Sequence, residues 1–181
     1  MAVPLPGNVL ELAERAQRDI AQERRMRFVP VDQMHCTLAF MGEVEKDRVE
    51  SARRSIACIP EGLGGVAYVD EMVLLPNARR TRVVALGLDD REGTLGRLHG
   101  RVVTALESAG LISADTRPFR AHVTLARVRD PGPVRLMAQC ERIRFGVESV
   151  CLYESELRRD GPVYSVLERV DLRKAHGREK A

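Results

Sequence analysis

The run His-x-Thr-Leu-Ala occurs twice in this chain, in HCTLAF at residues 35–40 and in HVTLAR at residues 122–127, so the second copy begins 87 residues after the first. Two of the four histidines lie in these copies. A strand sends successive side chains to opposite faces, so His35 and Thr37 emerge on one face while Cys36 and Leu38 emerge on the other. The same rule sets His122 and Thr124 against Val123 and Leu125. On a helix each imidazole and its threonine would stand about 200° apart around the axis and could not share a small ligand. The repeat therefore constrains the chain to a fold that presents two equivalent strands, with Leu38 and Leu125 facing the core and fixing their register.

The segments around the motifs support such a duplication. Residues 2–5 read as a short strand, and Pro6-Gly7-Asn8 introduces an amphipathic helix expected to run to about Arg25. A β-rich run over 34–41 carries the first motif, and a helix with Val44, Val49, Ala52 and Ile56 on one side follows. Strands over 66–75 and 82–88 form a hairpin around Pro76-Asn77. A helix over 94–109, stopped by Gly110, leads to the strand with the second motif, and β-rich runs over 142–153 and 163–172 close the pattern. The expected fold is α+β and bilobal: pseudo-twofold, duplicated antiparallel sheets with flanking helices and a central active-site cleft. Residues 1–173 form a single domain with His-x-Thr motifs at 35–37 and 122–124, and 174–181, which includes His176, is a polar tail.

Composition narrows the functional classes. With 44% apolar and 30% charged residues the 181-residue chain is that of a soluble globular protein. No apolar run approaches the roughly 20 residues of a membrane-spanning helix, so no membrane partner is expected. The four cysteines, Cys36, Cys58, Cys140 and Cys151, are scattered without a C-x-x-C, which fits a reducing cytoplasm. A net charge of +3 is too mild for bulk nucleic-acid coating but allows a local anion site. The short basic groups at Arg24, Arg25 and Arg27, at Arg53 and Arg54, and at Arg158 and Arg159 read as solvated faces. Arg79, Arg80 and Arg82 stand apart, because NARRT reads as a loop tip that could meet a polyanion.

Two strands related by a pseudo-twofold axis place two imidazoles across a cleft, each beside a hydroxyl. In-line hydrolysis of a phosphodiester needs a base to take a proton from water on one side of phosphorus and an acid to protonate the leaving oxygen on the other. Histidine, with an ordinary pKa near 6.5, serves as either near neutral pH. Threonine hydroxyls and an arginine can hold the equatorial phosphate oxygens. Metal ligation is a weaker reading, since only two histidines recur and no carboxylate keeps a fixed spacing to them; no metal or other cofactor is expected. Cys36 points away from His35 and reads as buried filler rather than nucleophile. His99, in GRLHGRVV, reads as a partly exposed helix residue without catalytic duty.

HCTLAFMGEV and RPFRAHVTLARVR closely resemble the two signatures of the LigT-like branch of the two-histidine (2H) phosphoesterases, the RNA 2′,3′-cyclic phosphodiesterases, also described as 2′-5′ RNA ligases. The likeness extends through VLLPNARRTRVVALGL and VCLYESELRRDGPVYSVLERVDL. It implies a bilobal fold, metal-independent hydrolysis of RNA 2′,3′-cyclic phosphate ends to 2′-phosphomonoesters, and His35 and His122 as the catalytic pair. It further implies Thr37 and Thr124 as phosphate-binding hydroxyls, with Arg127 and Phe40 also at the substrate. Strict alternation puts Arg127 and Phe40 on the face opposite their histidines, so a bulge, twist or strand end must re-aim them. RNA ends or small cyclic nucleotides are the expected ligands, and a monomer the expected state. Ligation through a 2′-5′ linkage, or plain binding of RNA ends, would use the same cleft.

Overall fold

The computed structural model describes residues 1–20, 26–113, 117–136, 140–158 and 161–173. Its elements run β1 (Ala2–Pro4), α1 (Gly7–Arg18), β2 (Met26–Phe28), β3 (His35–Thr37), α2 (Val49–Ala57), β4 (Gly65–Leu75), β5 (Thr81–Asp89), α3 (Thr94–Ser108), β6 (His122–Gly132), β7 (Ile143–Val147), β8 (Ser149–Arg158) and β9 (Gly161–Asp171), with 3-10 turns at Val31–Gln33 and Lys46–Arg48. Eight strands share one hydrogen-bonded path, β7-β4-β5-β6-β3-β1-β8-β9, and β2 lies beside β6. Every strand pair among the described residues is antiparallel.

The path is symmetric about the β6–β3 junction. In one half β1 is followed by α1 and then by its antiparallel partner β3; in the other β5 is followed by α3 and then by its partner β6. Each half so contributes one His-x-Thr strand to the middle. The two halves are joined there by one registered pair, Cys36 opposite Val123. At the far ends, β7 and β8 are separated only by Glu148 although they stand near opposite ends of the path. The sheet must curl to allow this, and Gly62 and Gly64 donate to the Leu172 carbonyl where its two ends meet.

The helices cover the face away from the histidines. Val9, Leu12 and Ala13 of α1, Ala52 and Ile56 of α2, and Leu95, Leu98, Val102 and Leu106 of α3 share one apolar cluster with Cys36, Val84, Leu86, Val123 and Leu125. Burying each leucine or valine there contributes about 1.5–3 kcal/mol, which holds the alternation in phase and leaves the opposite face free. Both ends of α3 are defined locally. Asp90 accepts the N–H groups of Leu95 and Gly96 at 2.8 and 2.7 Å. At the other end Gly110, at φ +65°, allows Leu111 N–H to reach Leu106 O and its own N–H to reach Glu107 O, a Schellman ending.

Two expectations need correction. Helix α1 stops at Arg18 rather than near Arg25, because Ile20 leaves the helical ladder to form a buried bridge with Leu136. Met26–Phe28 adds a short strand that pairs with β6. The run over 142–153 is two strands: β7 pairs with β4, whereas β8 pairs with β1 and β9. The expected hairpin is present as β4–β5, and Asn77 Oδ1 accepts the N–H groups of Arg79 and Arg80 at its turn. Arg24, Arg25, Arg159 and the tail with His176 lie outside the described residues. No helix among the described residues is long and apolar enough to cross a membrane.

Candidate active site

The pairing of Cys36 with Val123 fixes the geometry of the motifs. In an antiparallel register that pair places His35 opposite Thr124 and Thr37 opposite His122, all four on one face. The imidazoles then occupy one diagonal of a square and the hydroxyls the other, with diagonal neighbours about 7–8 Å apart. The pseudo-twofold axis passes between Cys36 and Val123. Both of these side chains are fully buried on the other face, and burial pushes the Cys36 thiol up to about 12, so it stays a protonated filler.

Each imidazole is oriented by a carbonyl two residues upstream. His35 Nδ1 lies 3.0 Å from Gln33 O, and His122 Nδ1 lies 2.7 Å from Arg120 O. A carbonyl only accepts, so both Nδ1 atoms carry hydrogen and donate. Both Nε2 atoms are left to work on a ligand, as acceptor in the neutral ring and donor in the charged one.

The environments of the two rings differ. His35 is stacked on Tyr153, with centroids 5.2 Å apart and planes at 18°, and meets the Tyr164 ring edge-on at 4.7 Å. Tyr164 is held in turn by its N–H, which donates to Gln33 Oε1 at 2.6 Å. Burial pushes the His35 imidazolium below the ordinary histidine value, and the Arg127 charge adds to the shift. The Tyr153 hydroxyl is pushed up to about 12 by burial, so it remains protonated. Among the described residues His122 has no such aromatic bracket.

Arg127 reaches the site through a β-bulge. Ala85 pairs with Thr124 but Val84 pairs with Ala126, so Leu125 is an extra residue on β6. Leu125 and Ala126 are both fully buried, and the phase beyond them is inverted. Arg127 thereby joins the face of Thr124 and lines one cavity with His35, Thr37 and Thr124. Gln17 of α1 secures the irregularity: its Nε2 donates to Val29 O at 2.8 Å and to Leu125 O at 2.9 Å. Gln17, Gln33, Tyr153 and Tyr164 escape reasoning from motif spacing, since each acts across a long stretch of chain.

Phe40 stands apart from the other residues expected at the site. Strand β3 ends at Thr37, and Phe40 stands 80% exposed beyond it, outside the residues that line the cavities. His99 is partly exposed, as expected, but it also ties α3 to the first motif. Its Nδ1 donates to Leu38 O at 2.8 Å and its ring stacks on Phe119 at 4.2 Å.

Two cavities flank the square. The His35 side, about 430 Å³, includes Arg27, Phe28, Pro162, Val163 and Tyr164. The His122 side, about 670 Å³, includes Asp70, Glu71, Asp89 and Asp90 together with Arg91 and Arg120. Arg91, hydrogen-bonded to Asp89, holds that carboxyl below its ordinary range. The arrangement offers two proton-transfer groups, two hydroxyls and a guanidinium on one face. Among the described residues no group of three or more His, Cys, Asp or Glu side chains is placed to hold a metal ion.

Comparison with known proteins agrees with this architecture. The family model described as LigT like Phosphoesterase matches residues 3–85 and 87–164. An RNA 2′,3′-cyclic phosphodiesterase of Thermus thermophilus is 33% identical over 99% of this chain and 92% of its own length. One from Aeropyrum pernix is 31% identical over 78% of this chain and 84% of its own. A crystal structure of a Thermus thermophilus protein superimposes with a TM-score of 0.80 at 29% identity, covering 97% of both chains. E. coli LigT complexed with 3′-AMP gives 0.78 at 25% identity, covering 94% of this chain and 95% of that one. Paired motifs, duplicated halves and a match along nearly the whole length converge, and the chain belongs to the LigT-like phosphoesterase family.

Proposed function

We propose that this protein hydrolyses 2′,3′-cyclic phosphate ends of RNA to 2′-phosphomonoesters, with His35 as general acid and His122 as general base. The observation that carries this reading is the matched commitment of both Nδ1 atoms to carbonyls. It leaves two Nε2 atoms free beside two threonines and Arg127. The relatives named RNA 2′,3′-cyclic phosphodiesterase support the same substrate.

In this mechanism His122 Nε2 removes a proton from water as its oxygen attacks phosphorus in line. The opposite P–O bond breaks, and the Nε2–H of His35 delivers its proton to the departing ribose oxygen. Thr37, Thr124 and Arg127 hold the non-bridging oxygens, where negative charge builds. Both proton transfers and the charge stabilisation are supplied by side chains. All these groups come from one chain, which supports a monomer, and the four free cysteines are in keeping with a reducing, cytoplasmic setting.

Ligation through a 2′-5′ linkage is the same chemistry reversed, with a ribose hydroxyl in place of water. The lining on the His122 side, where four carboxylates outnumber Arg91 and Arg120, disfavours a second polyanion and favours water. The test is incubation of an oligonucleotide bearing a 2′,3′-cyclic phosphate with purified protein in excess EDTA. A phosphomonoester is expected. A protein that only binds the end, or that turns over only after a divalent metal is added back, contradicts the proposal.

The rate should follow a bell-shaped pH profile, since one histidine acts charged and the other neutral. Because burial lowers His35, the His35-linked limb of kcat/KM lies below about 6.5, the ordinary histidine value. A bound phosphate adds negative charge beside the ring and favours the imidazolium, so the same break in kcat moves to higher pH. Identical breaks in the two profiles would contradict this assignment.

A further inference from the structure

Strand β2 pairs with β6 so that Arg27 stands directly opposite Arg127. Directly opposed residues project to one face with their Cβ atoms about 4.5–5.5 Å apart, and both arginines line the cavity that holds His35 and Thr124. Like charges so placed repel unless an anion lies between them. Several other arginines are ion-paired, Arg53 with Glu168, Arg142 with Asp89 and Asp70, and Arg173 with Asp171. Among the described residues neither Arg27 nor Arg127 has a carboxylate partner or a side-chain hydrogen bond. Among the described residues Asp32 is the one carboxylate lining this cavity, and it accepts from Gln33 Nε2 at 3.3 Å.

Arg127 lies three residues beyond Thr124 on β6, roughly 7–10 Å along the strand at about 3.3 Å per residue, and its side chain can reach back to the reacting phosphate. Arg27, one strand further out, faces the next position. We propose that Arg27 forms a second phosphate subsite, which holds the internucleotide phosphodiester adjacent to the cyclic end and makes the enzyme selective for oligonucleotide ends over cyclic mononucleotides. This inference rests on the proposed function.

The test compares wild type with Arg27→Gln on a 2′,3′-cyclic mononucleotide and on a tetranucleotide ending in the same cyclic nucleotide. The ratio of kcat/KM for the tetranucleotide to that for the mononucleotide should fall by about 10-fold or more, the order of a lost charge-assisted hydrogen bond. The log–log salt dependence on the tetranucleotide should become shallower by about 0.7, the value for one phosphate on a single strand. The melting temperature should hold or rise, because the substitution relieves repulsion across the strands. An unchanged ratio overturns the subsite, whether both substrates lose equally or neither loses. If wild type turns over neither substrate, the functional proposal fails instead. Titration with a tetranucleotide ending in a 2′-phosphate then decides the subsite: weaker binding by the variant supports it, and equal affinity overturns it.

Discussion

Replacing either His35 or His122 by alanine should lower kcat by about 100-fold or more, the order expected when a general acid or base is lost. Asparagine should be as damaging. Its side-chain N–H can take the place of Nδ1–H and keep the bond to Gln33 O or Arg120 O, but nothing replaces Nε2. An asparagine variant with an unchanged circular dichroism spectrum and lost turnover therefore separates proton transfer from orientation of the strand. Thr37→Ala and Thr124→Ala should cost less, since each removes one donor to the phosphate and leaves both proton transfers in place. Single-turnover rates on a cyclic-phosphate oligonucleotide give the comparison. A histidine variant with near wild-type rate would remove that residue from the mechanism, and threonine variants worse than the histidine ones would exchange the roles.

The four residues of the square were legible because a strand's period of two is a local rule, and antiparallel pairing then carries it across the junction. Arg127 was not legible in the same way. Its face depends on Leu125 being an extra residue, and that is defined only by the pairing with Val84 and Ala85 on β5. Gln17 lies 108 residues from the carbonyl of Leu125 that it bonds, and a glutamine on a helix carries no mark of such a partner. Arg27 belonged to a basic cluster that reads as solvated, and only the three-residue β2, too short to show an alternation, reveals its partner. Phe40 was carried over from the motif, and the early end of β3 puts it outside the cavities. The asymmetry of the site is likewise tertiary. The two motifs are nearly identical in sequence, and it is Tyr153 and Tyr164, brought in by the β8–β9 hairpin, that set His35 apart.

That asymmetry leads to the second large effect expected, in the identity of the product. A 2′,3′-cyclic phosphate has two bonds that can break, and in-line attack breaks the one opposite the entering water. The nucleoside and its upstream chain are aromatic and anionic. They match the His35 side, where Phe28, Tyr164, Arg27 and Arg127 line the cavity with the single carboxylate of Asp32, better than the His122 side, where four carboxylates outnumber Arg91 and Arg120. In the proposed mechanism water then enters from His122, and the ribose oxygen that leaves is the one within reach of His35. The proposed mechanism takes that oxygen to be the 3′ one, as the family resemblance implies, so phosphate is expected to stay on the 2′ oxygen. The 2′-phosphomonoester should be the only major product, and chromatographic separation from the 3′ isomer measures it. A predominance of the 3′ isomer would mean that acid and base are exchanged or that the ribose binds in the reverse orientation. The asparagine variants distinguish those two outcomes, because the acid is dispensable for a substrate whose leaving group needs no proton, such as a p-nitrophenyl phosphodiester, whereas the base is not. On that substrate His35→Asn should retain far more of its activity than His122→Asn, and the opposite order would assign the acid to His122.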